Sequence, residues 1–343
     1  MQLLREVHSY RAELFAESTK ATYKSHRNTY LRFCAYMGYP PVPVQPDHLL
    51  QYAAFLARSL KATSVRSYLN IIGILHKEMG LPNPLLNNWP LKSLLTGMNR
   101  AKGLTVTQKL PITPKLLRLL HSQLDHTVSL DSLFWAICLV AFYGMFRKSH
   151  LLPTTSSSFN PKKQLTKRDF KIYSWGALVT IRWSKTIQFR ERVVDIPLPR
   201  IPGSPLCPTS ALYRAFSFTA PVSSRDQQAF NWVDQSSHTL TFTYNSFVKK
   251  LRHHLSTLGL DPKNYAGHSF RRGGASFAYL SGVPIEMIKA LGDWRSDTVL
   301  FYLTMPLSVR LHSANMLCKT ILSHYPTPSW CSQFQLPLLW VWA

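Results

Sequence analysis

The stretch YAGHSFRRGGASFAYLSGVPIEMIKALGDWRSDTVLFYL, residues 265–303, decides how this chain is read. It sets His268 and Arg271 three residues apart, continues as a helix-like run, turns at Gly292-Asp293-Trp294, and ends with Tyr302 on an apolar stripe. A pair of ordinary buried helices accounts for this pattern without chemistry. So does a site that attacks phosphate with a tyrosine. The rest of the chain has to separate the two.

Lys and Arg number 40 against 16 Asp and Glu in 343 residues, a formal net charge of +24. That much self-repulsion disfavours a compact fold on its own and points to a polyanionic partner. Hydrophobic residues make up 45% of the chain and charged residues only 16%, the balance of a folded protein with room for one large or two ordinary domains. The charge is spread along the chain and no apolar run of bilayer-spanning length interrupts it, so nucleic acid is expected as the partner rather than a membrane. The segment MQLLREVHSYRAELF carries Glu6 and Glu13 and lacks a long apolar core, so no signal peptide is expected. Cys34, Cys138, Cys207, Cys318 and Cys331 are scattered, with no CxxC pair, which argues against a disulfide framework or a zinc ribbon.

Four helices are predicted in the first hundred residues. One starts at Ser18/Thr19, carries Tyr23, Tyr30, Phe33 and Met37 at helical spacing, and stops at Gly38. The others begin with Pro46, at Thr63, and in NWPLKSLLTGMNRAKG. Their polar faces are basic, and Lys20, Lys24, Arg27, Lys61, Arg66 and Lys102 are candidate phosphate contacts, with Arg272 from the later stretch. Residues 101–114 read as a Pro-bounded linker, giving domains at 1–104 and 105–324 and a tail at 325–343. In the second domain, DSLFWAICLVAFYGMFRKSHLL is apolar almost all round, a buried central helix with Arg147 near its end. Residues 169–199 alternate and turn at Ser174-Trp175-Gly176 and near Lys185, a small three-stranded antiparallel sheet. The predicted fold is mainly α with this one small sheet.

Cutting a phosphodiester without a metal needs guanidiniums on the non-bridging oxygens, a nucleophile, and a proton donor for the leaving oxygen. Carboxylates in the second domain are sparse and form no Mg²⁺ cluster. The parts present are Arg147, Lys185, His268, Arg271 and Tyr302, in that order. Each has an ordinary alternative. Arg147 can also be read as a helix C-cap, Lys185 as a solvated turn residue, and Tyr302 as core.

The order and surroundings of these residues resemble the tyrosine recombinase (phage-integrase-like) family. YGMFRKSHLL is similar to that family's first-arginine motif, RWSKTIQ to the hairpin turn carrying its lysine, GHSFRRGGAS to its HxxR box, and LGDWRSDTVLFYL to the segment ending in its tyrosine. SKT and LCPTSAL also look like versions found in recombinases of Crypton- or DIRS-type eukaryotic mobile elements. The resemblance covers roughly residues 10–315. It implies a two-domain C-shaped clamp on double-stranded DNA: a helical core-binding (SAM-like) domain and a catalytic domain. It also implies assembly as a homo-oligomer, dimer to tetramer, on DNA. In it Tyr302 attacks the scissile phosphate to form a 3′-phosphotyrosyl link and Arg147 and Arg271 hold the phosphate oxygens. Lys185 protonates the leaving 5′-oxygen and His268 assists proton transfer. No metal or nucleotide cofactor is required. An intracellular, nuclear location goes with this reading.

Two positions depart from the family pattern. Nine residues before the tyrosine, where the family often has His or Trp against the phosphate, stands Asp293. A carboxylate beside a phosphate is unfavourable, so Trp294 is expected to take that catalytic place and Asp293 to turn away. Three residues after the first arginine, where the family often has an acid, stands His150. These departures leave room for a DNA-binding protein that has lost catalysis. A helix-turn-helix regulator is a further alternative, and it predicts that the candidate side chains do not converge.

Overall fold

The computed structural model describes residues 2–103, 108–184, 187, 192–218, 226–233, 238–305 and 307–324. Lys185 and the tail 325–343 lie outside the described residues. The chain divides into two compact units, Met1–Thr107 and Gln108–Ala343.

The first unit is helical: α1 (Gln2–Ala12), α2 (Glu17–Met37), α3 (Pro46–Ala57), α4 (Ala62–Glu78) and α5 (Trp89–Lys102). Gly38 ends α2 because the chain there needs the left-handed region, φ 71°, which costs glycine little. Proline occupies the first turn of α3. The Asn88 side chain caps α5 by accepting from the Leu91 N–H at 2.9 Å. Tyr30, Phe33, Leu49, Tyr52, Leu69 and Ile72 close the core between α2, α3 and α4. α1 buries none of its residues.

The second unit is built around α7 (Ser129–Tyr143), preceded by α6 (Pro114–His121). Every α7 residue from Ser132 to Phe142 is buried, as a helix apolar on all faces requires. After α7 come the short α8 (Lys148–Leu151) and the sheet of β1 (Phe170–Ile172), β2 (Gly176–Ile181) and β3 (Val194–Pro199). The sheet is antiparallel in the order β1-β2-β3, with Val179 opposite both Phe170 and Ile196. α9 (Pro208–Ser217) packs on α7. Next stands a hairpin that the alternation did not predict, β4 (Asn231–Val233) with β5 (Thr239–Thr241). Strands of three residues are too short to show a period of two. α10 (Tyr244–Thr257), α11 (Gly267–Leu280), α12 (Ile285–Leu291) and α13 (Leu307–His324) complete the unit. Phe134, Phe230, Phe242, Phe247 and Phe270 fill the core around α7, each contributing about 1.5–3 kcal/mol on full burial.

The Gly273-Gly274 pair sets how α11 sits in this unit. A Cβ at Gly273 would overlap the Ile112 carbonyl, and one at Gly274 the Phe142 carbonyl. The two glycines let the α11 backbone meet two other backbones directly. The Ile112 N–H donates to Ser269 O at 2.9 Å, fixing that contact. No helix among the described residues is long and apolar enough to cross a membrane.

Candidate phosphate-chemistry site

α7 ends at Tyr143, and Met145, with φ 48°, turns the chain out of it. Arg147 therefore stands beyond the helix, at the N-cap of α8, and not as the C-cap of α7. The turn also aims the Met145 carbonyl into the unit, where Arg271 Nη1 donates to it.

α11 carries His268 at its second residue and Arg271 one turn later. Arg271 is only 1% exposed. Its Nη2 donates to Gly292 O at 2.7 Å, and the guanidinium carbon lies 3.5 Å from the Trp294 ring centroid and 5.4 Å from that of Tyr302. Burial and the Arg147 charge push its pKa down to about 9, with Tyr302 and Asp293 acting the other way. It stays charged at neutral pH. The inner side of His268 is desolvated, and Arg271, Lys148 and Arg147 add positive charge around it, so its pKa falls below the ordinary 6.5. The ring is therefore neutral at neutral pH and able to accept a proton.

Tyr302 follows a 3₁₀ turn, Asp297–Phe301, and its N–H donates to Val299 O at 2.8 Å. Ser276, on α11, donates to Tyr302 O at 3.2 Å and accepts from the Thr304 N–H at 2.8 Å. The helix that presents His268 and Arg271 thus also fixes the tyrosine. The Tyr302 ring lies 5.3 Å from Trp294 and 6.5 Å from His268, centroid to centroid.

Asp293 overturns one expectation. It does not turn away. It takes φ 53°, a conformation Asp tolerates better than most residues, and points its carboxylate into the cations, 7% exposed. Ser184 Oγ donates to Asp293 Oδ2 at 2.6 Å, Arg147 Nη1 stands at 3.4 Å from the same oxygen, and Arg147 Nη2 donates to Asp293 O at 3.1 Å. Arg192 Nη2 binds the other carboxylate oxygen. Trp294 is accordingly a packing surface: its ring is buried with Met145, Ala275, Ile288 and Val299, against Arg271. A left-handed residue at 293 sends the two neighbouring side chains in directions that spacing alone does not give. Arg192 and Ser184 were not foreseen, because nothing in RERVV or RWSKT marks a partnership with residue 293.

His150 is 3% exposed and neither ring nitrogen has a hydrogen-bond partner among the described residues. Burial first, then Arg147 and Arg271, push its pKa down to about 3. The unfolded chain takes up this proton near pH 6.5, while the folded one refuses it until about pH 3. Between those values the unfolded state binds more protons, so stability falls as the pH is lowered, by about 1.4 kcal/mol per unit. His150→Leu should leave neutral-pH stability near wild type and flatten the pH 6.5–4.5 dependence by that slope in urea denaturation. An unchanged slope would mean that His150 is not held neutral.

In the first unit Lys20, Lys24 and Arg27 border a cleft of about 160 Å³ that also contains Glu78, and Lys20 pairs with Glu17 at 2.5 Å. Arg66 borders a different cleft, of about 650 Å³, with Trp89 and Lys92. Lys61 and Lys102 are exposed. In the second unit Arg272 is half-buried, donating to Thr304 Oγ1 at 3.1 Å and to Gln108. The described residues hold no cluster of three or more His, Cys, Asp or Glu able to bind a metal.

No family model matches the chain. It is 24% identical over 268 residues to an integrase/recombinase xerD homolog of Selenomonas ruminantium, covering 77% of this chain and 74% of that one. Among solved structures, the Tn1549 transposon integrase in complex with transposon right end DNA matches with a TM-score of 0.59 at 14% identity, over 92% of this chain and 98% of that one. XerH bound to a palindromic difH substrate matches at 0.55 and 13%, over 81% and 73%. A lambda integrase dimer bound to a COC′ core site matches at 0.53 and 14%, over 88% and 94%. At these identities the structures establish the fold, and the xerD homolog carries the similarity into the sequence. In fold, in sequence and in the order of the converging residues, the chain is similar to tyrosine recombinases and integrases.

Proposed function

We propose that this chain cuts and rejoins duplex DNA at specific sites through Tyr302. The observation that carries the reading is the convergence of Arg147, His268, Arg271 and Tyr302 within one unit, the phenol ring 6.5 Å from the His268 ring and 5.4 Å from the buried Arg271 guanidinium. Tyr302 Oη attacks the scissile phosphorus and its proton passes to His268. Arg147 and Arg271 stabilise the charge that grows on the non-bridging oxygens. The P–O5′ bond breaks, the leaving oxygen takes a proton from Lys185, and the phosphate stays on Tyr302 as a 3′-phosphotyrosyl ester. Attack by a 5′-hydroxyl reverses these steps and rejoins a strand. The phosphotyrosyl bond conserves the energy of the broken one, so no nucleotide is consumed.

The positive charge of the whole chain supports duplex DNA as the partner. The exposed apolar residues Leu300, Phe301, Leu307, Leu311, Met316 and Ile321 support assembly as a dimer or tetramer on that DNA. The basic run KKLRHH, residues 249–254, supports a nuclear location, and the likeness to a transposon integrase supports a mobile-element origin for the reaction.

One observation favours a second reading, DNA binding without catalysis: the Asp293 carboxylate stands among the cations that a phosphate needs. A covalent trap separates the two. Wild type and Tyr302→Phe are incubated in EDTA with nicked duplexes from the DNA flanking the gene, then run on a denaturing gel. A wild-type adduct is expected, with none from Tyr302→Phe at nearly unchanged DNA affinity. Tight, salt-sensitive binding by wild type with no adduct would select the second reading.

A further inference from the structure

We propose that Arg192 is a ligand of the scissile phosphate and that Asp293 is the residue that positions it; this rests on the strand-cleavage reading above. The site has three guanidiniums close to one another, and two are already engaged by the main chain. Arg271 is enclosed and gives one donor to Met145 O and another to Gly292 O. Arg147 gives one to Asp293 O. Arg192 differs: its side chain is 40% exposed. Of its five N–H donors, the one hydrogen-bonded among the described residues is on Nη2, to Asp293 Oδ1. It is therefore anchored at one end and open at the other, the arrangement a planar guanidinium needs to take up a phosphate oxygen.

The charge balance points the same way. Asp293 cancels one of the two charges that Arg147 and Arg271 supply. Arg192 restores it, just as the phosphate gains negative charge on its way to the transition state. Asp293 is held in turn: Ser184 donates to it at 2.6 Å, and Ser184 lies on the same β2–β3 connection as Arg192. The carboxylate thus ties that connection to the turn before Tyr302. Asp293 has no hydrogen to offer the phosphate when ionised, and the arginine it anchors supplies one.

The test is single-turnover adduct formation on duplexes nicked at successive positions in the flanking DNA, with either a phosphodiester or a methylphosphonate at the cleaved position. A methylphosphonate lacks one charged oxygen, so an arginine that serves that oxygen has less to do. Arg192→Ala is expected to slow adduct formation about 10²-fold on the phosphodiester, and less than about tenfold on one of the two methylphosphonate isomers. Free methylguanidinium should restore part of the phosphodiester rate. Comparing two substrates on one variant cancels any loss of folded protein. An equal loss on both substrates would make Arg192 merely structural, and a wild-type rate on the phosphodiester would remove it from the site. Either result, with wild type still forming its adduct, overturns this assignment alone. If wild type forms no adduct on any duplex, the strand-cleavage reading fails and the assignment falls with it.

Discussion

Arg271→Ala is expected to lose both stability and chemistry. The guanidinium is enclosed, bridges the Met145 and Gly292 carbonyls, and lies flat enough on Trp294 to approach its ring centroid to 3.5 Å. Truncation leaves both carbonyls without their donor and opens a cavity beneath Tyr302. Unpaired buried groups cost about 1–3 kcal/mol each, so a loss of about 3–5 kcal/mol in urea denaturation is expected. Adduct formation should slow by 10²-fold or more, on the order seen when one preorganised donor is lost. Arg271→Lys keeps the charge, but a single ammonium does not reproduce the planar fork between two carbonyls, so it should fall well short of wild type in both measurements. Arg271→Ala with wild-type stability would mean that the two carbonyl bonds are not made in solution.

Gly273→Ala is expected to be as damaging, although it touches no reacting atom. The added methyl would meet the Ile112 carbonyl, which is main chain and has no rotamer to change. Overpacking of side chains costs about 1–3 kcal/mol and occasionally more; backbone against backbone should lie at or above the top of that range. Displacing α11 would also move His268, Arg271 and Ser276 together. Thermal unfolding and the adduct rate should therefore fall in parallel. A stable, fully active Gly273→Ala would show that α11 is not seated on Ile112 as described.

How much of this was legible in the sequence depends on the range of the interactions involved. Local signals were reliable: Gly38 ends α2, Pro46 opens α3, and the all-apolar run became the buried α7. The His268–Arg271 spacing placed both residues on one helix near Tyr302 because a single turn of α11 spans it. The failures were at turns. Met145 at φ 48° put Arg147 past the end of α7, at the N-cap of α8, and Asp293 at φ 53° aimed its carboxylate at the cations rather than away from them. Non-glycine residues with positive φ carry little sequence mark. Arg192 was missed for another reason: its tie to Asp293 spans 101 residues, and one sequence holds no trace of a pair so far apart. The β4–β5 hairpin was too short to show alternation.

The most direct test of the whole account is the identity of the covalent link. The adduct formed with nicked duplex in EDTA would be digested with trypsin and nuclease, and the nucleotide-bearing peptide sequenced by mass spectrometry. The account predicts a metal-independent adduct on Tyr302, joined to the 3′-phosphate, with a free 5′-hydroxyl on the other strand end. A link to any other residue, or cleavage that needs Mg²⁺ and leaves no protein on the DNA, would contradict it.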